Sequence, residues 1–515
     1  YVGSNTVIKS CRIIKDVNVG SYAYIKGANK LKNLTILSDE HAPSQVGEGV
    51  ELVNGILGYQ TRVFYGVKAV CFILGNNSNL KYGARLLHSY LGDNSTVSCC
   101  EVLNSLVFPF HEQHHNNSFL IAANIGGQSN MAAGANIGSN HNTRGADGEL
   151  QAKRGFWPAL SSSLKYNCSF ASFTLITKGS YPNELNLKIP FSMIGYNEAK
   201  RTLNVMPAYW WMYNRYALER NKWKFSTRDK RYYKSQPIET DYISIDTMDE
   251  ILSALDYLSL IAGQTVVKEG RVTLDDTPNK STLLELGRTL LDEKSPLLDN
   301  LEFLTYDIER SKRPTRILKI KEGYHGYIEM LIFGCMRIIL TYMKERNLTI
   351  EEFESLVDES MKMQNSSISL GIQSPVVNLG GLLVSEASVK VLIKDIESGI
   401  ISSWQLVHEV QDYWKIMFND IKAAKALISL RTLTHSKERI PFSSLRDRCI
   451  ELAKENARQV ECSRKKDFEQ PFRNTVYRSE EEKRVVLGTI KDDSFVTTSD
   501  KEMKQLIEIA LSFPC

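Results

Sequence analysis

Paired cysteines are the first feature that this sequence lacks. None of its nine cysteines forms a C-x-x-C pair, so nothing supports a zinc ribbon or a thioredoxin-like redox site. Cysteines without a pattern in a chain of 515 residues are typical of a reduced, intracellular protein. We therefore expect a cytoplasmic location. The cysteines are Cys11, Cys71, Cys99, Cys100, Cys168, Cys335, Cys449, Cys462 and Cys515.

A strong charge of one sign and a long hydrophobic run are also missing. The formal net charge is +4, so the chain as a whole has no electrostatic reason to bind nucleic acid or an anionic membrane. The most apolar stretch, residues 327–343, is interrupted by Glu329 and Arg337. It is too short and too charged for a membrane span, and it predicts a buried helix. We expect neither nucleic acid nor a membrane as a partner.

Three common nucleotide and nucleophile motifs are absent as well. The sequence has no P-loop, no G-x-G-x-x-G between a strand and a helix, and no G-x-S-x-G nucleophile elbow. These absences argue against a P-loop NTPase, a dinucleotide-binding domain and an α/β-hydrolase. The sequence opens on Tyr1 within a repeat pattern and without Met, so we expect upstream sequence and leave a targeting segment open.

What the sequence does contain is an aliphatic residue at every sixth position in several runs, often with a neighbouring glycine. A helix needs apolar spacings of three and four and a lone strand needs alternation, so this period fits neither. It is typical of short strands joined by tight corners, where Gly and Asn accept left-handed backbone conformations. Each aliphatic side chain then stacks on its counterpart in the next coil. The runs are Val7, Ile13, Val19, Ile25 and Leu31; Leu74, Leu80 and Leu86; Leu91, Val97 and Leu103; and Phe119, Ile125, Met131 and Ile137.

These hexads resemble the hexapeptide-repeat, left-handed parallel β-helix superfamily over residues 1–200. Its known members are largely acyltransferases and the acetyltransferase halves of sugar-nucleotide pyrophosphorylases. The segments HNTRGADGEL, KRGFWP, FASFTLI and MPAYWWMYNRYAL also resemble an uncharacterised bacterial family of hexapeptide-repeat proteins, related to those enzymes by loose analogy. The resemblance implies a left-handed parallel β-helix. It also permits a homo-oligomer, a trimer or a dimer, with sites between subunits.

The character of the sequence changes after residue 200. Tyr209, Met212, Tyr213 and Tyr216 fall at i, i+3, i+4 and i+7, which predicts an amphipathic helix. A basic run over residues 222–234 is interpreted as a solvated linker, and helical spacing continues over residues 248–262, 324–345, 350–363 and 404–430. We therefore predict a β-solenoid with ejected loops over 1–200, an amphipathic helix and basic linker over 201–235, and a large all-α domain over 236–515.

Four histidines at two interruptions of the repeat are the candidate catalytic residues. In the enzymes that the hexads resemble, a histidine in a loop or on a coil face acts as general base, and an unperturbed imidazole pKa of about 6.5 suits that role. Glu112, Asp147 or Glu149 is expected to orient the ring. The alternative is that the rings cap coils and bond to neighbouring loops. The four candidates are His111, His114, His115 and His141.

A metal site is the competing interpretation of the first of these clusters. His111 and His114 have the H-x-x-H spacing of one helical turn, and Glu112 or His115 would add a ligand. Pro109 and the neighbouring asparagines favour a loop over a helix, and no H-E-x-x-H or cysteine ligand accompanies the group. We expect no metal.

Polar and aromatic residues beside the third interruption of the repeat are the candidate substrate-binding residues. Arginine on a loop holds phosphate or carboxylate oxygens bidentately. Asparagine ladders at the solenoid corners are the favoured alternative for the asparagines, whereas for the arginines the two interpretations balance. Trp157 belongs to an aromatic group that either stacks a sugar or base ring or, as we favour, forms the seam with the first helix. The candidates are Asn140, Asn142, Arg144, Asp147, Glu149, Arg154 and Trp157.

Two functions stay open from the sequence, because function resides in sites and not in the fold. The first is a transferase of acyl- or nucleotidyl-transfer type that acts on a sugar nucleotide or phosphorylated metabolite, with a loop histidine as base. Acyl-CoA or a nucleotide sugar would be the cosubstrate. The second is a non-catalytic scaffold or ligand-binding protein whose helical half binds a partner or another copy. Histidines buried in coil-to-coil hydrogen bonds, without an open cleft, would favour the scaffold.

Overall fold

The N-terminal part of the chain is a parallel β-solenoid, which confirms the fold expected from the hexads. The computed structural model describes residues 1–139, 148–274, 278–363 and 366–513. Successive coils pair in parallel, and the strands fall into a seven-stranded sheet, a fifteen-stranded sheet and a six-stranded sheet at the C-terminal end. The strands are β1 (Val7–Lys9), β2 (Ile14–Val19), β3 (Tyr24–Lys26), β4 (Lys30–Ile36), β5 (Gln45–Val46), β6 (Glu51–Leu57), β7 (Arg62–Phe64), β8 (Lys68–Leu74), β9 (Asn79–Lys81), β10 (Arg85–Leu91), β11 (Thr96–Ser98), β12 (Glu101–Leu103), β13 (Leu106–Val107), β14 (Glu112–Gln113), β15 (Phe119–Ile121), β16 (Ala123–Ile125), β17 (Asn136–Ser139), β18 (Leu150–Ala152), β19 (Trp157–Pro158), β20 (Ser162–Lys165), β21 (Ser169–Phe170), β22 (Leu175–Ile176), β23 (Gly179–Tyr181), β24 (Asn186–Leu187), β25 (Met193–Asn197) and β26 (Thr202–Met206).

The coil is one residue shorter than three hexads. Glu51 lies opposite Lys68, and Lys68 lies opposite Arg85, so each of these coils advances by 17 residues. Two sides of the coil then advance by six residues and the third by five. A strict six-residue pattern therefore falls one position away from the interior residues after each five-residue side.

The interior ladder around Ile125 shows the consequence of this shorter side. Ile125, Met131 and Ile137 are fully buried, as the hexads predict. The residue opposite Ile137 on the previous coil is Leu120, which is also fully buried, and Phe119 is only half-buried. The prediction that Phe119 is an interior residue is therefore wrong, because the step from Leu120 to Ile125 is five residues.

Asparagines in the left-handed backbone region form corners of the solenoid, as their abundance suggests. Asn33, Asn54, Asn77 and Asn94 all have φ between 51° and 56°. Asparagine tolerates this conformation better than most residues with a side chain. The corner side chains also stack from coil to coil, since the Asn77 amide donates to the Asn94 Oδ1 atom at 2.7 Å.

The C-terminal part of the chain is helical. The stretches expected to be helices coincide with four observed helices, α3 (Ile245–Lys268), α5 (Ile320–Arg346), α6 (Ile350–Lys362) and α9 (Trp404–Leu433). The amphipathic helix expected from Tyr209 to Tyr216 is instead broken in two by Asn214, whose side chain caps the second helix by accepting from the Ala217 amide at 3.3 Å. The helices are α1 (Tyr209–Tyr213), α2 (Arg215–Arg228), α3 (Ile245–Lys268), α4 (Lys280–Asp292), α5 (Ile320–Arg346), α6 (Ile350–Lys362), α7 (Ser367–Gln373), α8 (Glu386–Glu397), α9 (Trp404–Leu433), α10 (Phe442–Glu469), α11 (Pro471–Asn474), α12 (Glu480–Leu487) and α13 (Ser494–Leu511).

The described residues of the helical part also contain four short strands, where the sequence predicts only helices. These are β27 (Phe303–Thr305), β28 (Thr315–Ile317), β29 (Val376–Leu379) and β30 (Leu382–Ser385). Strand β28 pairs in parallel with β26, so the helical part extends the last sheet of the solenoid. One hydrophobic core runs from the solenoid coils into helices α3, α5 and α9. The two parts therefore share a core and pack as one body.

Among the described residues, two helices are long and apolar enough to cross a membrane by length and composition. They are α3 and α5, and 61% of the most apolar window of each is buried inside the protein. The second contains the stretch that the sequence predicts to be a buried helix. Core helices of this length pass the same test, so this observation is weak support for a membrane span.

Candidate active site

Five of the predicted site residues lie outside the residues that the structure describes. They belong to the interruption that follows β17. The structure therefore bears on His111, His114, His115, Glu149, Arg154 and Trp157. The five residues outside the described ranges are Asn140, His141, Asn142, Arg144 and Asp147.

His111 is a structural residue inside the solenoid. Its ring is fully buried, with Nδ1 2.8 Å from the Ser129 hydroxyl and Nε2 3.1 Å from the Gln113 Oε1 atom. Burial disfavours the charged ring and lowers the pKa of His111 to about 4. A buried ring with both nitrogens occupied cannot reach a substrate, so the structure corrects the prediction that His111 could act as the base.

His114 and His115 are exposed, and His114 is paired with a carboxylate. The Nδ1 atom of His114 lies 3.3 Å from the Oε2 atom of Glu112, which was one of the residues expected to orient a ring. The two imidazoles are in contact, with ring centroids 4.4 Å apart. A carboxylate beside Nδ1 is the arrangement that orients an imidazole and leaves its Nε2 atom to exchange a proton with a substrate. Of the three described histidines, His114 is the one with a carboxylate beside its ring.

Glu112 also lines a cleft between the solenoid and α2, which we call the α2 cleft. Its volume is about 390 Å³, within the range of small-molecule sites. Arg62, Asn79, Thr96 and Glu112 occupy the same register position on successive strands of the seven-stranded sheet, so they form one outward-facing column. The rest of the solenoid wall is Gln60, Asn77, Asn94 and Phe110.

The opposite wall of the α2 cleft is formed by the C-terminal end of α2 and by Lys230, which follows the helix. Lys224 and Arg228 lie one helical turn apart, and Lys230 follows the helix. Between them Phe225 packs on Phe110 of the solenoid, with ring centroids 5.0 Å apart. The cleft thus has an aromatic contact at its base and basic side chains along one side.

A buried arginine fixes this wall to the solenoid. The Arg231 side chain is 2% exposed and lies 2.8 Å from Asp93, on a solenoid corner, and 2.8 Å from Asp229. It also donates to the Gln236 carbonyl at 2.9 Å. Burial opposes ionisation of Asp229, but Arg231 outweighs it and holds the pKa of Asp229 at about 2. The solvated linker expected over residues 222–234 is therefore wrong at Arg231, which is buried.

Arg154 joins the solenoid to the helical part and is not available to a substrate. Its guanidinium donates to both carboxylate oxygens of Asp246, at 2.8 and 2.7 Å, and to the Asp241 carbonyl at 3.0 Å. The Arg154 side chain is only 2% exposed. The partner lies 92 positions away in the first turn of α3, so no local pattern identifies the pair.

The two remaining predicted residues lie outside the α2 cleft lining. Trp157 is half-buried and stacks on Trp210 of α1, with ring centroids 5.6 Å apart, which confirms the aromatic group as the seam. The Trp210 indole donates to the Phe173 carbonyl at 2.7 Å. Glu149 is exposed next to β18 and uses its backbone carbonyl to accept from the Asn167 amide at 2.7 Å.

A second cleft, of about 650 Å³, lies between the solenoid and the start of α3. Its carboxylates already have cations: Glu250 lies 2.7 Å from Lys153, and Asp249 lies 2.7 Å from Lys425. Burial raises the pKa of Glu250 and of Asp249. Because the α2 cleft combines basic side chains from both walls with Glu112, the carboxylate beside His114, we place the candidate site there. The described residues contain no group of three or more His, Cys, Asp or Glu that could hold a metal ion.

Apart from Glu112, the residues of the α2 cleft were missed in the sequence, although one signal was present. Lys224 and Arg228 are part of the basic run at helical spacing, which was interpreted as a linker. Arg62 and Asn79 carry no signal, since their alignment with Glu112 depends on coils that advance by 16 or 17 residues.

Comparisons with known proteins give relatives at two levels. A protein of Treponema pallidum (strain Nichols), described as uncharacterised, is 46% identical over 506 residues, which is 98% of this chain and 67% of that protein. The solved UDP-N-acetylglucosamine acyltransferase of Francisella novicida is 11% identical with a TM-score of 0.24 and covers 57% of this chain and 91% of that chain. The Arabidopsis UDP-N-acetylglucosamine acyltransferase is 13% identical with a TM-score of 0.17 and covers 57% and 96%. Scores this low carry no argument about this chain.

A family match covers slightly more than half of the chain. Residues 1–261 match the family described as domain of unknown function DUF4954, which takes in the solenoid, α1, α2 and most of α3. The match therefore includes both walls of the α2 cleft. The chain belongs to the DUF4954 family.

Proposed function

We propose that this protein is a transferase of acyl- or nucleotidyl-transfer type, acting on a sugar nucleotide or a phosphorylated metabolite in the α2 cleft. The observation that carries the proposal is the contact between His114 Nδ1 and Glu112 Oε2 at 3.3 Å, with Glu112 in the cleft wall. A base that is itself oriented by a third group is the usual arrangement for activating a hydroxyl or an amine.

The proposed chemistry assigns one role to each of the two residues. His114 Nε2 accepts the proton of the attacking hydroxyl or amine as its oxygen or nitrogen bonds to the acyl carbon of a thioester. The carbon–sulfur bond breaks, and the thiolate leaves with the proton from the imidazolium. Glu112 stabilises the imidazolium while it carries that proton. In a nucleotidyl transfer from a nucleotide sugar, the attacked atom is the phosphorus of the nucleotidyl group and the leaving group is the sugar 1-phosphate.

Several further properties belong to the same proposal. Acyl-CoA or a nucleotide sugar is the donor, and the protein acts in the cytoplasm as a homo-oligomer. The acceptor is a small molecule, and neither nucleic acid nor a membrane is required. Measurement of the native mass and of turnover with each donor class tests these points separately.

The test of the proposal is turnover by the full chain with a panel of acyl-CoA donors, nucleotide sugars and phosphorylated acceptors. We expect His114→Asn to lower kcat by roughly 100-fold or more, the effect of removing a general base. His88→Asn is the matched control, because His88 is an exposed histidine at a corner with φ 50°, a conformation that asparagine accepts.

Two outcomes would contradict the proposal. Full activity of His114→Asn would remove the base from the mechanism, and loss of activity only in His115→Asn would move the role to the neighbouring ring. Ligand binding without turnover of any donor would favour the ligand-binding scaffold. The buried hydrogen bonds of His111 support that alternative for one histidine of the cluster.

A further inference from the structure

The charges that line the α2 cleft are strongly unbalanced. Four cationic side chains line it, against one carboxylate, that of Glu112. Asp229, the nearest other carboxylate on this wall, is already paired with Arg231 and Lys234. The lining therefore has a net charge of +3, in a chain whose total net charge is only +4. The four cations are Arg62, Lys224, Arg228 and Lys230.

None of these four cations has a carboxylate within 4 Å among the residues that the structure describes, whereas their neighbours in the chain do. Lys222 lies 3.5 Å from Glu502, and Lys234 lies 3.7 Å from Asp229. Exposed basic side chains are often unpaired on a protein surface. Here, however, they come from two different walls and line the same enclosed space.

Lys224 shows that this arrangement is unfavourable without an anion. The side chain is half-buried, and burial is the main effect that lowers its pKa, with the like charges of Arg228 and Arg220 adding to it. Glu112 opposes that shift but does not reverse it. A multiply charged anion in the cleft would compensate all of these positive charges at once.

We infer that the α2 cleft is a binding site for a diphosphate group, held between Arg62 on the solenoid and Lys224, Arg228 and Lys230 on the α2 side. A diphosphate carries two or more negative charges and offers only acceptor oxygens, which match donors from both walls. Guanidinium groups bind such oxygens bidentately, and lysine adds point charges. The amides of Asn77 and Asn79 each donate one N–H within the solenoid, and the second N–H of each is a neutral donor beside the cations.

The inference gives the helical part a role in binding. Only Arg62 of the four cations belongs to the solenoid, so a solenoid without α2 would lack most of the site. A bound diphosphate would bridge the two walls and stabilise the docking of α2. The inference rests on the placement of the proposed transferase site in this cleft, but its test does not require turnover.

The test is a titration of the full chain with inorganic pyrophosphate, inorganic phosphate and sulfate at constant ionic strength, measured by calorimetry. We expect pyrophosphate to bind more tightly than phosphate or sulfate. Arg62→Gln and Arg228→Gln should each weaken pyrophosphate binding by roughly 10-fold to 100-fold, the effect of losing a charged hydrogen bond. Both side chains are exposed, so both variants are expected to fold.

Arg220→Gln is the matched control. Arg220 is an exposed arginine on the same helix and does not line the cleft, so its removal makes the same change in net charge. We expect this variant to bind pyrophosphate within about 3-fold of the wild-type affinity, because Arg220 acts on the cleft only through its screened charge near Lys224. An equal loss in Arg220→Gln and Arg228→Gln would show a general charge effect and overturn the inference.

The remaining outcomes separate this inference from the proposed function. Absence of pyrophosphate binding at millimolar concentration, or tighter binding of a single-stranded RNA oligonucleotide that pyrophosphate cannot displace, would overturn the diphosphate site even if turnover is found. Pyrophosphate binding that survives His114→Asn, in a protein without turnover, would support the site and contradict the transferase.

Discussion

Arg154 is the residue whose replacement tests most sharply how the solenoid is joined to the helical part. Its guanidinium makes a bidentate contact with Asp246 at 2.8 and 2.7 Å, and the two side chains are 2% and 12% exposed. Arg154→Met keeps the apolar length of the side chain but leaves the Asp246 carboxylate buried without its cation. Breaking a buried pair in this way typically lowers the free energy of unfolding by about 3–5 kcal/mol.

The assay is urea unfolding followed by tryptophan fluorescence, because Trp157 and Trp210 stack in the same seam. Arg154→Met, Asp246→Asn and the double variant form a thermodynamic cycle. We expect each single variant to lose about 3–5 kcal/mol and the double variant to lose less than their sum, with a coupling of about 1–3 kcal/mol. A loss below about 1 kcal/mol, or full additivity, would refute the reasoning.

The pH dependence of the same pair has a definite sign. Burial by itself would raise the pKa of Asp246, but the charge and hydrogen bonds of Arg154 outweigh it, so the pKa is lowered. Its stabilising effect is therefore complete above the unfolded pKa of about 4 and is lost as the pH falls below it. Lys68→Met is the control, since the Lys68 contact with Glu51 is exposed and 3.9 Å long.

Three further predictions concern the core, the helix packing and the cleft wall. The folded pKa of His111, about 4, lies below an unfolded value of about 6.5, so the unfolded chain binds more protons between them. Stability should fall by about 3 kcal/mol as the pH drops through this window, and an unfolding midpoint in His111→Gln that still follows the wild-type pH dependence would contradict the assignment. In Gly287→Ala the new Cβ atom would lie 1.8 Å from the Ser259 carbonyl oxygen. We therefore expect the free energy of unfolding, measured by thermal unfolding, to fall by about 1–3 kcal/mol. An unchanged unfolding midpoint would show that α3 and α4 pack less closely. Arg231→Met leaves Asp93 without its cation and frees the end of α2, so pyrophosphate affinity should fall together with the free energy of unfolding. Retained pyrophosphate affinity would show that Arg231 does not hold this wall of the α2 cleft in place.

The solenoid was predictable because its signal repeats many times in the sequence. Buried aliphatic residues such as Ile25, Leu80 and Ile137 recur where the hexads place them. The exact ladder was not predictable, because the 17-residue coil shortens one side by one residue and moves the interior position from Phe119 to Leu120. The break at Asn214 was missed because apolar periodicity continues across it and the cap acts through a single side chain.

The candidate site was only partly predictable. The pair of Glu112 and His114 could be expected, because the two residues are close in sequence and only their orientation was unknown. The role of Arg154 was missed because its partner Asp246 belongs to another part of the chain, and the choice between a substrate and a buried carboxylate depends on packing. The cations of α2 were interpreted as part of a linker, because their position opposite the asparagine corners of the solenoid depends on the tertiary fold.

The central proposal is that His114 acts as the base of a group transfer at the α2 cleft. The decisive measurement is product formation by the full chain and by His114→Asn, quantified by mass spectrometry with saturating donor and acceptor. We predict that the wild type forms product and that the variant is slower by roughly 100-fold or more while it still binds the phosphorylated substrate with unchanged affinity. Absence of product from the wild type with every donor and acceptor pair, or an equal rate in the variant, would contradict the account.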